Sequence, residues 1–123
     1  MTQYDRGRGE AMFAEVYGSE VGALPSPGSA PFIDYMLETL FGALWQDPAL
    51  SVRERRLLVI GVLAAQGEEG TLGIQLRCAL KRGELNAPQV QSLATFLTQY
   101  VGYPRGSRLF RACNEALATV APP

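Results

Sequence analysis

The chain has 123 residues, 47% hydrophobic and 19% charged, with a formal net charge of −1, which fits one globular domain over residues 1–123 with one core. This near-neutral balance offers no basic field, so no nucleic-acid partner is expected. Histidine is absent; it is the side chain that most often moves protons near neutral pH and holds metals, so a zinc site of ordinary ligand spacing is excluded.

The first predicted helix runs from about Gln3 to Gly18, where Met12, Phe13, Val16 and Tyr17 repeat at helical spacing. Gly22, Pro25, Pro27 and Gly28 make residues 18–29 a loop. Pro31 opens the second helix, because its missing N–H costs nothing in a first turn. Ile33, Leu37, Leu40, Phe41, Leu44 and Trp45 line one face of it, and Asp47-Pro48 ends it. Ser51-Val-Arg-Glu54 has the form of a capping box. The run after it, Leu57 to Ala65, is apolar on every side and predicts a central, buried third helix. Interrupted by Gly61, this run is far short of the roughly 18–20 apolar residues needed to cross a bilayer, so no membrane association is expected.

Gly67 and Gly70 bracket Glu68-Glu69 and predict a break or a tight connection. The fourth helix is expected over Thr71–Arg82, with Leu72, Leu76, Ala79 and Leu80 as its stripe. Lys81 and Arg82 suit its negative C-terminal end, and Gly83 stops it. Asn86 caps a fifth helix carrying Val90, Leu93, Ala94, Leu97 and Val101, which Gly102-Tyr-Pro104 interrupts. The last helix runs from about Arg105 to Val120, with Leu109, Phe110, Cys113, Leu117 and Val120 on one face. No segment alternates as a strand would, so the expected fold is an all-α, compact six-helix bundle. Cys78 and Cys113 lack paired spacing, and Met1 to Glu10 lacks the apolar centre of a secretory signal. Both features point to a cytoplasmic protein with reduced thiols.

Phe41-Gly-Ala-Leu-Trp45, Pro48 and the arginine-bearing stretch Arg53 to Ala65 resemble the carboxymuconolactone decarboxylase family. Leu76-Arg77-x-Ala79 up to Gly83, Tyr100-Val-Gly102-Tyr-Pro104 with Phe110-Arg111, and the N-terminal stretch Tyr4 to Gly18 extend the likeness over nearly the whole chain. The resemblance implies a helical bundle assembled into homotrimers or homohexamers. It also implies one of two chemistries. One branch decarboxylates gamma-carboxymuconolactone in aromatic catabolism without a cofactor. The other, similar to alkylhydroperoxidase D, uses a Cys-x-x-Cys pair and a histidine against peroxides and disulfides.

Carried over position by position, the redox cysteines would fall near Glu68 and Thr71, and the histidine of both branches at Gln75. The upstream glutamate of the redox branch would fall at Arg56. A second histidine of the decarboxylase branch would fall near Phe96, and its glutamate at Ala43. None of these matches, whereas Arg55, Glu68, Arg77, Trp45 and Tyr100 do.

The candidate site is built from these positions. Gln75 can donate a hydrogen bond to a developing enolate oxygen but cannot carry a proton; it also fits a polar residue left in a relic pocket. Glu68 and Tyr100 remain to deliver the proton, although Glu68 with Glu69 equally fits a hydrated helix start. Arg55 and Arg56 can grip a substrate carboxylate through a planar fork, or form a solvated first turn or an intersubunit ion pair. Arg53 is expected to be exposed. Phe96 and Tyr100, four apart on one helical face, and Trp45 line a substrate cavity or pack in a core or interface. Cys78, three residues after Gln75, is a candidate reactive thiol at the border of that pocket, while Cys113 packs as a small hydrophobe.

Two functions stay open. One is a cofactor-free lyase acting on a small carboxylated or lactone-type molecule. The other is a catalytically lapsed, oligomeric binding or assembly protein whose partner is itself. A peroxidase-type redox enzyme ranks last, because no adjacent cysteine pair can cycle.

Overall fold

Asp5 starts the first helix by accepting from the backbone N–H groups of Gly7, at 2.8 Å, and Arg8, at 3.4 Å. In the computed structural model, which describes residues 5–120, the helices are α1 (Arg6–Tyr17), α2 (Pro31–Tyr35), α3 (Val52–Gln66), α4 (Glu69–Lys81), α5 (Ala87–Val101) and α6 (Tyr103–Thr119). Gln3 and Tyr4, expected at the start of α1, lie outside the described residues. Among those described there is no strand, so the all-α reading holds. Contacts divide the chain between Val52 and Arg53 into two compact units.

In the N-terminal unit, α2 continues into a π-helical segment, Met36–Leu44. Trp45 N–H donates to the carbonyl of Leu40 at 2.8 Å, five residues back. The expected second helix is therefore present, but its larger part is wound wider than a regular helix. Leu37, Phe41 and Trp45 are its buried large apolar side chains, spaced by four. That spacing suits either winding, so the pattern could not separate them. Helix α1 lies against this segment so closely that a Cβ at Gly9 would overlap the Leu37 carbonyl. Phe13 meets Phe41 edge-on at 5.0 Å, and Phe41 stacks on Trp45 at 5.8 Å.

In the C-terminal unit, the core joins Ile60 and Ala64 of α3, Leu72 and Leu76 of α4, Val90 and Ala94 of α5, and Leu109 and Cys113 of α6. Each fully buried leucine or isoleucine contributes roughly 1.5–3 kcal/mol. The fifth helix begins on a complete capping box: Gln89 N–H donates to Asn86 Oδ1, and Asn86 N–H to Gln89 Oε1, both at 2.9 Å.

The connection after α3 is tight: Gly67 turns the chain at φ +69°, α4 starts at Glu69, and Gly70 lies inside its first turn. One expectation is corrected here: the third helix is not buried all round. Arg56, Ile60 and Ala64, one turn apart, face inward, while Leu58 and Val62 are 60% and 55% exposed. One face of α3 is enough to seal this core, and the other stays bare.

Candidate functional site

The register of α3 puts a charge into the core. Arg56 precedes Ile60 and Ala64 by four and eight residues, so it shares their inward face. Its side chain is 0% exposed. A guanidinium taken out of water needs partners for both charge and donors, or its burial costs several kcal/mol. Arg56 Nε donates to Glu84 Oε1 at 2.9 Å and Nη2 to Glu84 Oε2 at 3.4 Å. Its Nη1 donates to Gln75 Oε1 at 2.8 Å.

Glu84 reaches this position through a turn. Helix α4 ends at Lys81, and Gly83 takes φ +72°, which glycine adopts without strain. The chain folds back so that Glu84 N–H donates to the Ala79 carbonyl at 2.9 Å. Arg82 Nε then donates to Glu84 Oε2 at 2.6 Å, and Arg53 Nε to the Glu84 backbone carbonyl at 2.8 Å. One carboxylate, 7% exposed, thus takes hydrogen bonds from two guanidinium groups. Among the described residues, no buried side-chain nitrogen or oxygen is left without a partner.

Of the residues singled out from the sequence, the fold brings Arg56 and Gln75 into direct contact and adds Glu84. Gln75 is 1% exposed, its carbonyl oxygen held by Arg56. Arg55, the next residue along α3, is half-buried. Glu68 is exposed at the N-terminal end of α4, where its side chain makes no capping bond. Glu69 instead pairs with Arg111 across to α6 at 3.0 Å, and that contact raises the arginine pKa by hydrogen bonding first and charge second.

Tyr100 and Phe96 are 79% and 61% exposed on α5, with ring centroids 5.4 Å apart. They stand on the surface, whereas Gln75 is sealed in the core. Trp45 belongs to the N-terminal unit and is buried against Phe41. Cys78 is buried one turn beyond Gln75 on α4. Cys113 is buried in the core, and desolvation pushes its thiol up to about 12.

Sequence reasoning missed Glu84. The one available sign was an acidic residue just after a helix-stopping glycine in Arg82-Gly-Glu84. Nothing in the spacing tied it to Arg56, which lies 28 residues earlier. Arg53 was expected to be simply exposed; it is exposed, yet it also holds the turn at Glu84.

A model of the carboxymuconolactone decarboxylase family matches residues 30–115. That span includes every residue of the Arg56–Gln75–Glu84 cluster. No curated protein and no solved structure matches the chain.

Proposed function

The chain belongs to the carboxymuconolactone decarboxylase family, and from that premise we propose that it is a catalytically lapsed member that works as a self-assembling protein. One observation carries this reading: the side chains at two of the family's catalytic positions are sealed and bonded to each other. Where the resemblance expects a catalytic glutamate and a histidine, Arg56 and Gln75 are 0% and 1% exposed and bonded at 2.8 Å.

The chemistry follows from that arrangement. A decarboxylation needs a grip on the substrate carboxylate, a donor for the developing enolate and a proton carrier. The fork of Arg56 is already held by the carboxylate of Glu84, so a substrate would have to displace a buried internal anion. Glutamine cannot carry a proton. Glu68 and Tyr100, which would deliver it, are exposed while Gln75 is sealed. What the cluster does well is structural: it ties α3 to the C-terminal end of α4.

The assembly half of the reading rests on apolar side chains left bare. Leu58 and Val62 form an i, i+4 pair on α3, and Phe96 and Tyr100 form another on α5. Exposed apolar pairs of this kind suit protein–protein contact. Self-association, as a homotrimer or homohexamer, matches what the resemblance implies.

Sedimentation velocity tests it. The wild type should sediment well above the 13.3 kDa of one chain, and Leu58→Glu/Val62→Glu should sediment as a monomer with unchanged helicity. A monomeric wild type, or release of carbon dioxide from a carboxylated lactone, would overturn the proposal.

A further inference from the structure

A slot opens between α5 and α6 on the surface of the C-terminal unit. Its cavity volume is about 300 Å³, at the small end of the range for ligand sites. Its floor is set by a close approach of the two helices: Gly106 is buried, and a Cβ there would come within 2.8 Å of the Thr98 Cβ and overlap the rest of that side chain. Ala94 lies beside Thr98 on the same buried stripe of α5.

The rings of Tyr103 and Phe110 lie along the α6 side. They are seven residues apart on one helical face, about 10 Å along the axis. Between them the α6 wall is only Gly106 and Ser107, so the slot has the length of one or two fused rings.

The lining also specifies polarity. No charged residue contributes to it, so a carboxylate or an ammonium entering it would lose hydration with no compensating charge. Two of its four hydroxyls, those of Thr95 and Thr98, are biased toward accepting. Thr98 Oγ1 donates to the Ala94 carbonyl at 2.7 Å, and Thr95 Oγ1 to the Gln91 carbonyl at 3.2 Å. With their protons used by the helix, both offer lone pairs only. With the Gln99 amide and the Ser107 and Tyr103 hydroxyls, which can donate or accept, alongside them, these two acceptors suit a flat, neutral molecule that donates a hydrogen bond.

From this geometry we infer that the slot between α5 and α6 binds a small, uncharged aromatic carrying an O–H or N–H donor, of the phenol or indole class. The site is separate from the Arg56–Gln75–Glu84 cluster, and its ligand is of opposite character to a carboxylated substrate. The slot's α5 lining, Ala94, Thr95, Thr98 and Gln99, does not include Phe96 or Tyr100.

The experiment is a fluorine NMR titration of the full-length protein with three probes: 4-fluorophenol, fluorobenzene and 4-fluorobenzoate. Saturable binding of the phenol, roughly twofold to tenfold tighter than fluorobenzene, is expected, since the donor adds about one hydrogen bond; the benzoate should not bind. Ser107→Phe and Thr95→Trp each place a ring in the slot from an exposed position, and both should abolish phenol binding while the circular dichroism spectrum is unchanged. Three results would overturn the inference. One is no saturable phenol binding to the wild type. Another is binding that survives both variants. The third is a loss of assembly in Ser107→Phe together with no phenol binding to the wild type, which would make the slot a contact between copies.

Discussion

Glu84→Leu should be the most damaging single change in the buried cluster. It removes the carboxylate from Arg56, whose guanidinium sits at 0% exposure, and leaves a buried charge held by Gln75 without its counterion. Breaking a buried pair from one side costs about 3–5 kcal/mol, a large share of the roughly 5–15 kcal/mol that stabilises a typical domain. Arg56→Met should cost less, about 3 kcal/mol or below, because Glu84 keeps its 2.6 Å contact with Arg82, a side chain still 32% exposed.

The triple variant Arg56→Met/Gln75→Leu/Glu84→Leu removes charge, counter-charge and amide together. It should return to within about 1 kcal/mol of the wild type or exceed it, as apolar replacement of a whole buried network often does. The assay is urea denaturation followed by far-ultraviolet circular dichroism, at one fixed protein concentration because assembly adds to apparent stability. With m near 1–3 kcal/mol/M, the Glu84→Leu midpoint should fall by at least about 1 M. Were Arg56→Met the worse of the two single changes, or the triple variant to lose as much as the single changes summed, the buried charge would not be what Glu84 offsets.

Other outcomes follow from the same contacts. Gly9→Ala should destabilise the N-terminal unit by about 3 kcal/mol or more, above the usual range for overpacking, because its Cβ would overlap backbone at Leu37 that no rotamer change can move; thermal melting measures it. Cys113 should resist iodoacetamide at pH 8 in the native protein and react once unfolded, since burial holds its thiol near 12; mass spectrometry of the alkylated peptide reads this out. The sign for stability runs the same way. The unfolded thiol, with an ordinary value of 9.0, ionises first, so from pH 9 toward 12 the unfolded chain binds fewer protons and stability falls, with no effect from this group at pH 7. Asn86→Ala should cost about 1 kcal/mol by removing the side-chain acceptor from Gln89 N–H, visible as a lower urea midpoint.

The helices were legible where local chemistry decides them. Asn86 with Gln89, Pro31, Gly83 and Gly102 mark helix ends through capping and backbone freedom, and the ends fall within a few residues of where those signals sit. Features that depend on what packs against what were not legible. The π-helical winding of Met36–Leu44 shares its four-residue apolar spacing with a regular helix. The bare face of α3 looked buried because Leu58 and Val62 are as apolar as Ile60 and Ala64; hydropathy records what a side chain tolerates, not what covers it.

The site divides the same way. Arg56 and Gln75 could be named from the sequence, and the fold places them in contact. Their roles could not be assigned, because the partner that fixes the charge of Arg56 sits beyond a glycine turn at Glu84. Arg56 itself reads like its neighbours Arg53 and Arg55 until the core register shows that it alone of the three points inward. Glu68 and Tyr100 have the residue type of a proton carrier, and the fold places both at the surface while Gln75 is sealed.

On the proposed reading, Arg56 and Gln75 serve structure and bind no substrate. The experiment is isothermal titration calorimetry of the assembled wild type with small mono- and dicarboxylates and lactones, with Arg55→Ala alongside. No saturable heat is expected with any of them. Saturable binding to the wild type that is lost in Arg55→Ala would overturn the lapsed reading and restore a working carboxylate site.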